Sequence, residues 1–111
     1  MLLFESQGAV EVLALEDALT HENVQQLLSA IADKSFAGQP MIVLDMSNVP
    51  LVDSAGLEAL LDIQQTLREA AGSMKLAGLT QLCADVLRVT GLADHFETYA
   101  DAKAAVGSFV R

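Results

Sequence analysis

The order of apolar runs and amphipathic segments predicts an α/β domain built on a mostly parallel sheet with an antiparallel edge. Three observations carry this. Two short apolar stretches, residues 2–6 and 9–15, open the chain on either side of Gln7-Gly8, a pair suited to a hairpin turn. Beyond them, segments with helical spacing alternate with short apolar runs to the end of the chain, giving ββαβαβαβα; strands alternating with helices imply parallel pairing. The run Met41-Ile-Val-Leu-Asp-Met46 is apolar on successive residues, as in a strand buried on both faces of such a sheet.

Each element has its own local cause. Val10-Glu11-Val12 alternates as a half-exposed strand does. From Thr20, Val24, Leu27, Leu28 and Ile31 form an i, i+3, i+4, i+7 stripe, with His21, Glu22, Gln25, Gln26 and Asp33 facing away. Thr20 followed by Asn23 is a fair start signal, short of a full capping box because Asn replaces Glu or Gln. Ala37-Gly38-Gln39-Pro40 ends this helix and delivers the chain to the strand at 41–45. The longest helix follows Val49-Pro-Leu-Val-Asp-Ser-Ala-Gly-Leu57. Its predicted stripe is Leu57, Leu60, Leu61, Gln64 and Leu67, with Glu58, Asp62, Gln65 and Glu69 between them. Asp53 precedes it and can accept hydrogen bonds from its unpaired first amides, which leaves Ser54 on the surface at the positive end of the helix dipole. Ala71-Gly72-Ser73 closes the helix and Met74–Ala77 is a short strand. In the next helix Leu82, Val86 and Val89 are expected to share the buried face, and Gly91 is expected to adopt the left-handed conformation that ends it. Residues 96–99 read as an edge strand, and Asp101 as the cap of a last helix packing Ala102, Ala105, Val106 and Phe109.

A chain of 111 residues is expected to form one domain, residues 1–111, with a core that needs no staples. Cys83 is the one cysteine, which excludes an internal disulfide, and no Cys/His spacing suggests a metal. No cofactor motif is present. The N-terminus lacks the pattern of a secretory signal, and no apolar run approaches the roughly 20 residues of a membrane span. A cytoplasmic, soluble protein is expected. Six basic residues against fifteen acidic ones give a net charge of −9, and Lys34, Arg68, Lys75, Arg88, Lys103 and Arg111 are scattered. That argues against direct nucleic-acid binding, which draws on clustered cations, and against an anionic membrane surface. The acidity suits a partner with a basic face, or serves solubility alone. His21 and His95 read as surface or helix-end residues, Cys83 as a packed thiol, and Met41, Met46 and Met74 as core filler.

Ser54 admits three readings. It can be a plain helix-start serine, competing well for free amides. It can be a nucleophile, since Val52-Asp-Ser-Ala-Gly56 imitates a G-x-S-x-G elbow, although Val52 stands where the elbow needs Gly. It can also be a phosphoacceptor, an exposed hydroxyl whose charge is switchable without unfolding the domain.

Asp53-Ser54-Ala55-Gly56-Leu57, entered from an apolar strand and followed by a long amphipathic helix, resembles the signature of STAS domains, the fold of bacterial anti-sigma factor antagonists and of sulphate-transporter tails. The resemblance extends over nearly the whole chain, through the leading hairpin, the Val-Leu-Asp strand, Gly72 and Thr90-Gly91-Leu92. It implies a mixed sheet of four to five strands with an N-terminal hairpin and about four helices packed mainly on one face. It also implies that Ser54 is phosphorylated by a partner anti-sigma factor serine kinase and dephosphorylated by a serine phosphatase. Asp17-Ala-Leu-Thr20 stands where the family commonly has Gly-x-Leu-Asp, and Ala55 where known antagonists carry a second hydroxyl. The expected partner-binding residues are Asp53, Ser54, Ala55, Gly56, Glu58, Thr20 and His21. The implied function is that of a non-enzymatic anti-sigma factor antagonist, which binds the kinase when Ser54 is unphosphorylated. The alternative is a non-catalytic subunit binding the ATPase or permease of a membrane transporter.

Overall fold

The structure, a computed structural model, describes residues 2–7, 9–33 and 39–109. Five strands, β1 (Leu2–Gln7), β2 (Val10–Leu15), β3 (Met41–Asp45), β4 (Ser73–Ala77) and β5 (Glu97–Tyr99), form one sheet in sequential order. β1 runs antiparallel to β2, and β2 to β5 are mutually parallel. Four helices complete the fold: α1 (Val24–Asp33), α2 (Ser54–Glu69), α3 (Gln81–Val89) and α4 (Ala102–Phe109). The hairpin, the parallel crossovers and the antiparallel edge are those expected from the sequence. Gly8 of the expected hairpin turn, and Ala37 and Gly38 of the expected exit from α1, lie outside the described residues.

β3 is buried on both faces, as its unbroken apolar run requires. Ile42 and Leu44 join Leu13, Leu15, Leu27, Leu60, Ile63, Leu67, Leu76 and Leu87 in the larger core, under α1, α2 and α3. Val43 points the other way, with Val10, Val12, Ala77 and Ala105, under α4 alone. Asp101 caps α4 as expected, its Oδ1 accepting the Ala104 amide at 2.8 Å. On that face Lys75 is only 7% exposed. Its ammonium donates to Ser108 Oγ at 2.6 Å and sits 4.0 Å from the centroid of the Phe109 ring, pinning the last turn of α4 to β4.

Two helices present faces other than those predicted. In α3, Leu82 and Val89 are 52% and 70% exposed, while Cys83 and Leu87 are the buried pair. Tertiary contact chose between two apolar faces: Cys83 Sγ lies 3.4 Å from the Val49 carbonyl, and Thr80 Oγ1 donates to that same oxygen at 3.2 Å. In α2 the buried set is Gly56, Ala59, Leu60, Ile63, Gln64 and Leu67, so Leu57 and Leu61 fall to its margin. Gln64 is tolerated there because its amide donates to the His95 carbonyl.

The exit of α2 divides two backbone tasks between neighbours. Gly72 N–H donates to Leu67 O at 2.7 Å and Ala71 N–H to Arg68 O at 2.9 Å, a closure that places Ala71 at φ 60°. Gly72 is needed for another reason: a Cβ there would lie 2.2 Å from the Pro40 carbonyl oxygen. Ala71→Gly should therefore raise stability by about 0.5–1 kcal/mol, the left-handed penalty removed less the entropy glycine adds to the unfolded chain. A higher urea midpoint at unchanged slope would verify it. Gly91, at φ 77°, ends α3 in the left-handed conformation expected of it.

Candidate functional site

The C-terminal ends of parallel strands expose the loops in which sites gather. Here the loop after β2 (residues 16–23) and the loop after β3 (residues 46–53) are zipped together. Leu19 and Val52 form an isolated parallel bridge, with Leu19 N–H donating to Leu51 O at 3.0 Å and Asp53 N–H to Leu19 O at 3.2 Å. Within the first loop, Thr20 accepts the Val24 amide on its carbonyl at 2.9 Å, its Oγ1 accepts the Glu22 amide at 3.3 Å, and Asn23 Oδ1 accepts the Thr20 amide at 2.9 Å. Asn23 thus supplies the reciprocal bond that Glu or Gln makes in a capping box.

Asp53 is the joint of the site. It is extended, at φ −94° and ψ −175°, and its Oδ1 accepts the Gly56 amide at 2.9 Å as the cap of α2. Its Oδ2 accepts the backbone N–H of His21 at 3.0 Å, and the His21 ring Nδ1 lies 3.4 Å from the same oxygen. The Gly56 amide, then the His21 amide, hold the Asp53 carboxyl below the ordinary aspartate value of 3.8, with desolvation opposing and the His21 ring contributing least. A depressed folded value stabilises the fold fully above the ordinary value and ceases to do so as pH falls through the depressed one. Thermal melts of wild type and Asp53→Asn should therefore differ most near neutral pH, and the gap should close on acidification below 3.8. A gap that stays constant to strong acid would refute this role.

Ser54 is the first residue of α2 and is exposed, with Ala55 half-buried behind it and Glu58 exposed one turn on. His21 stands beside them with its side chain 76% exposed, and Thr20 is half-buried. Six of the seven residues singled out in the sequence are thus brought to one surface. Gly56 is the exception and corrects the expectation that it meets a partner. It is buried, and a Cβ there would lie 2.4 Å from Leu19 O and 2.7 Å from Val52 Cγ1. Its missing side chain admits the chain's own neighbouring loop. His21 had only its position beside Thr20 to recommend it, because its pairing with Asp53 spans 32 residues.

Chemically, the surface offers the hydroxyls of Ser54 and Thr20, three carboxylates when Glu22 is included, and an imidazole. Among the described residues no group of three His, Cys, Asp or Glu side chains could hold a metal ion. No helix among them is long and apolar enough to cross a membrane. An apolar cleft lined by Leu28, Ile31, Pro40, Ile63, Thr66 and Leu67 lies between α1 and α2, towards the far end of α2 from Ser54.

Comparison with known proteins agrees with the fold. A family model described as the STAS domain matches residues 2–105. A Bordetella bronchiseptica protein, BtrV, whose name places it among the anti-sigma factor antagonists, is 26% identical over 98 residues, covering 88% of this chain and 84% of its own. An anti-sigma-factor antagonist (STAS) domain protein from Planctomyces limnophilus superposes with a TM-score of 0.88 over 99% of this chain and 98% of that one, at 20% identity. The unphosphorylated form of the anti-sigma factor antagonist SpoIIAA gives a TM-score of 0.77 over 98% and 96%, also at 20% identity; Bacillus SpoIIAA has been solved in a phosphorylated form too. At such identities the structural likeness speaks for the fold alone.

Proposed function

Because the chain belongs to the STAS domain family, we propose that it is an anti-sigma factor antagonist, a non-catalytic cytoplasmic regulator of transcription. It holds an anti-sigma factor serine kinase while Ser54 is unphosphorylated and releases it once Ser54 carries phosphate. The observation that carries the reading is the exposed Ser54 hydroxyl on the first turn of α2, directly after the cap Asp53, in a fold shared with antagonists. In the modification, Ser54 Oγ attacks the γ-phosphorus of ATP and the bond to the β–γ bridging oxygen breaks. ADP leaves, and the hydroxyl proton passes to a base of the kinase. A serine phosphatase returns the hydroxyl by hydrolysis. Asp53, Ala55, Glu58, Thr20 and His21 surround Ser54 in the contact surface, and the net charge of −9 suits a basic face on the kinase.

The test begins by capturing partners on immobilised protein from the native host, then incubating the captured ATP-binding partner with the free protein and Mg-ATP. Mass spectrometry is expected to find one phosphate, on Ser54, and phosphorylation is expected to elute the partner. Capture of a transporter ATPase instead of a serine kinase, or phosphate on another residue, would overturn the proposal.

A further inference from the structure

The loops that leave the C-terminal ends of β2, β3, β4 and β5 are residues 16–23, 46–53, 78–80 and 100–101. They carry Glu16, Asp17, Glu22, Asp53 and Asp101, with no Lys or Arg. Asp45 closes β3 at the same end and Glu58 extends the acidic surface into α2. Of the cations among the described residues, Arg68 and Arg88 are in the last turns of α2 and α3 and Lys75 is engaged beneath α4, while Lys103, in the first turn of α4 just after Asp101, is exposed at this end but on the helix that packs against the other face of the sheet. His21 is therefore, among the described residues, the side chain at this end of the sheet on the α1–α2 face that can carry a positive charge. Its place is set by two contacts to Asp53 Oδ2, the residue immediately before Ser54, and its exposure leaves the ring free to turn.

We propose that His21 is the counter-charge for a phosphate on Ser54: the protonated ring lies between the Asp53 carboxylate and the phosphate, and so makes the modified state pH-dependent. The inference rests on the reading of Ser54 as phosphoacceptor. Its physical basis is local. A phosphoserine brings about −1.5 to −2 charges to a surface whose facing groups are all acidic, with Asp17 and Glu22 on the histidine's own loop and Asp53 and Glu58 across from it. An anion within a few ångströms favours the protonated ring, and the protonated ring in turn favours the fully ionised phosphate. The coupling is reciprocal. The charge shown to a partner is consequently smaller in mild acid than in mild alkali, so release on phosphorylation is weaker below the ring's titration than above it.

The test installs phosphoserine at position 54 during translation, so it needs no kinase and stands apart from the partner experiment. Proton and nitrogen NMR of the histidine rings, and phosphorus NMR of the phosphoserine, are followed across pH 5–9 in both forms. Phosphorylation is expected to move the His21 midpoint upward by about one pH unit, a tenfold gain in proton affinity. His95, on the 3-10 turn that precedes β5 at the opposite end of the sheet, is expected to stay where it was. His21→Gln should move the phosphate's second ionisation to higher pH, and His21→Lys should restore it. Equal His21 midpoints in the two forms, or a phosphorus titration indifferent to His21→Gln, would overturn the proposal. A failure of the Ser54 reading would show separately, as phosphate absent from Ser54 after incubation with the partner kinase and ATP.

Discussion

Ser54→Asp is expected to weaken binding of the anti-sigma factor by roughly 30-fold or more, about 2 kcal/mol at the low end for an unpaired buried charge at an interface. Ser54→Ala is expected to bind within a few-fold of wild type. The asymmetry follows from where the charge falls. Inside the domain, a negative group at the start of α2 meets the positive end of the helix dipole, worth about 0.3–1 kcal/mol, and is opposed by the Asp53 carboxylate beside it. The fold itself should hardly respond, and the melting temperatures of both variants should stay close to that of wild type. Across a desolvated interface nothing provides that compensation, and a nucleotide bound to the partner would repel the added charge even where the surrounding face is basic. Calorimetric titration of the three proteins against the captured partner decides the matter. An Asp variant that binds as tightly as the Ala variant would remove Ser54 from control of association.

Gly56→Ala has the largest expected effect on stability. A methyl group built there would meet Leu19 O at 2.4 Å and Val52 Cγ1 at 2.7 Å. The oxygen belongs to backbone already committed to the Asp53 amide, so it cannot swing aside as a side-chain tip would. The loop after β2 and the first turn of α2 must separate, and the cost should reach the upper end of the overpacking range, about 3 kcal/mol. That corresponds to a fall in melting temperature of roughly 10 °C or more for a domain of this size. Affinity per folded molecule should also drop, because the same separation carries Thr20 and His21 away from Ser54. A melting temperature within a few degrees of wild type would show that the loop yields easily.

Residues that argue locally were legible in the sequence. The unbroken apolar run at 41–45 required burial on both faces, and β3 has it. The capping role of Asp53, the left-handed Gly91 and the exposure of Ser54 depend on a few neighbouring residues and the direction of one helix, and each stands as read. The resemblance carried by Asp53–Leu57 added the strand count and the helical layer. What periodicity could not decide was the buried face of α3. In nine residues it holds Leu82, Cys83, Val86, Leu87 and Val89, apolar on more than half its circumference, so local spacing permits either face. The choice came from the Val49 carbonyl, which meets Cys83 and Thr80 across the core. Gly56 was misjudged for a related reason: a glycine marks a close approach without naming what approaches, and Leu19 lies 37 residues away in sequence. The nearness of His21 to Asp53, and the burial of Lys75 beneath Phe109 and Ser108, are likewise products of chain crossing. Sequence alone determined the order of the elements and the hydroxyl that one helix start presents, because those depend on short-range geometry. Only the tertiary structure decided which charges and which backbone surround that hydroxyl, because packing the sheet and helices together is what brings distant segments to the same few ångströms.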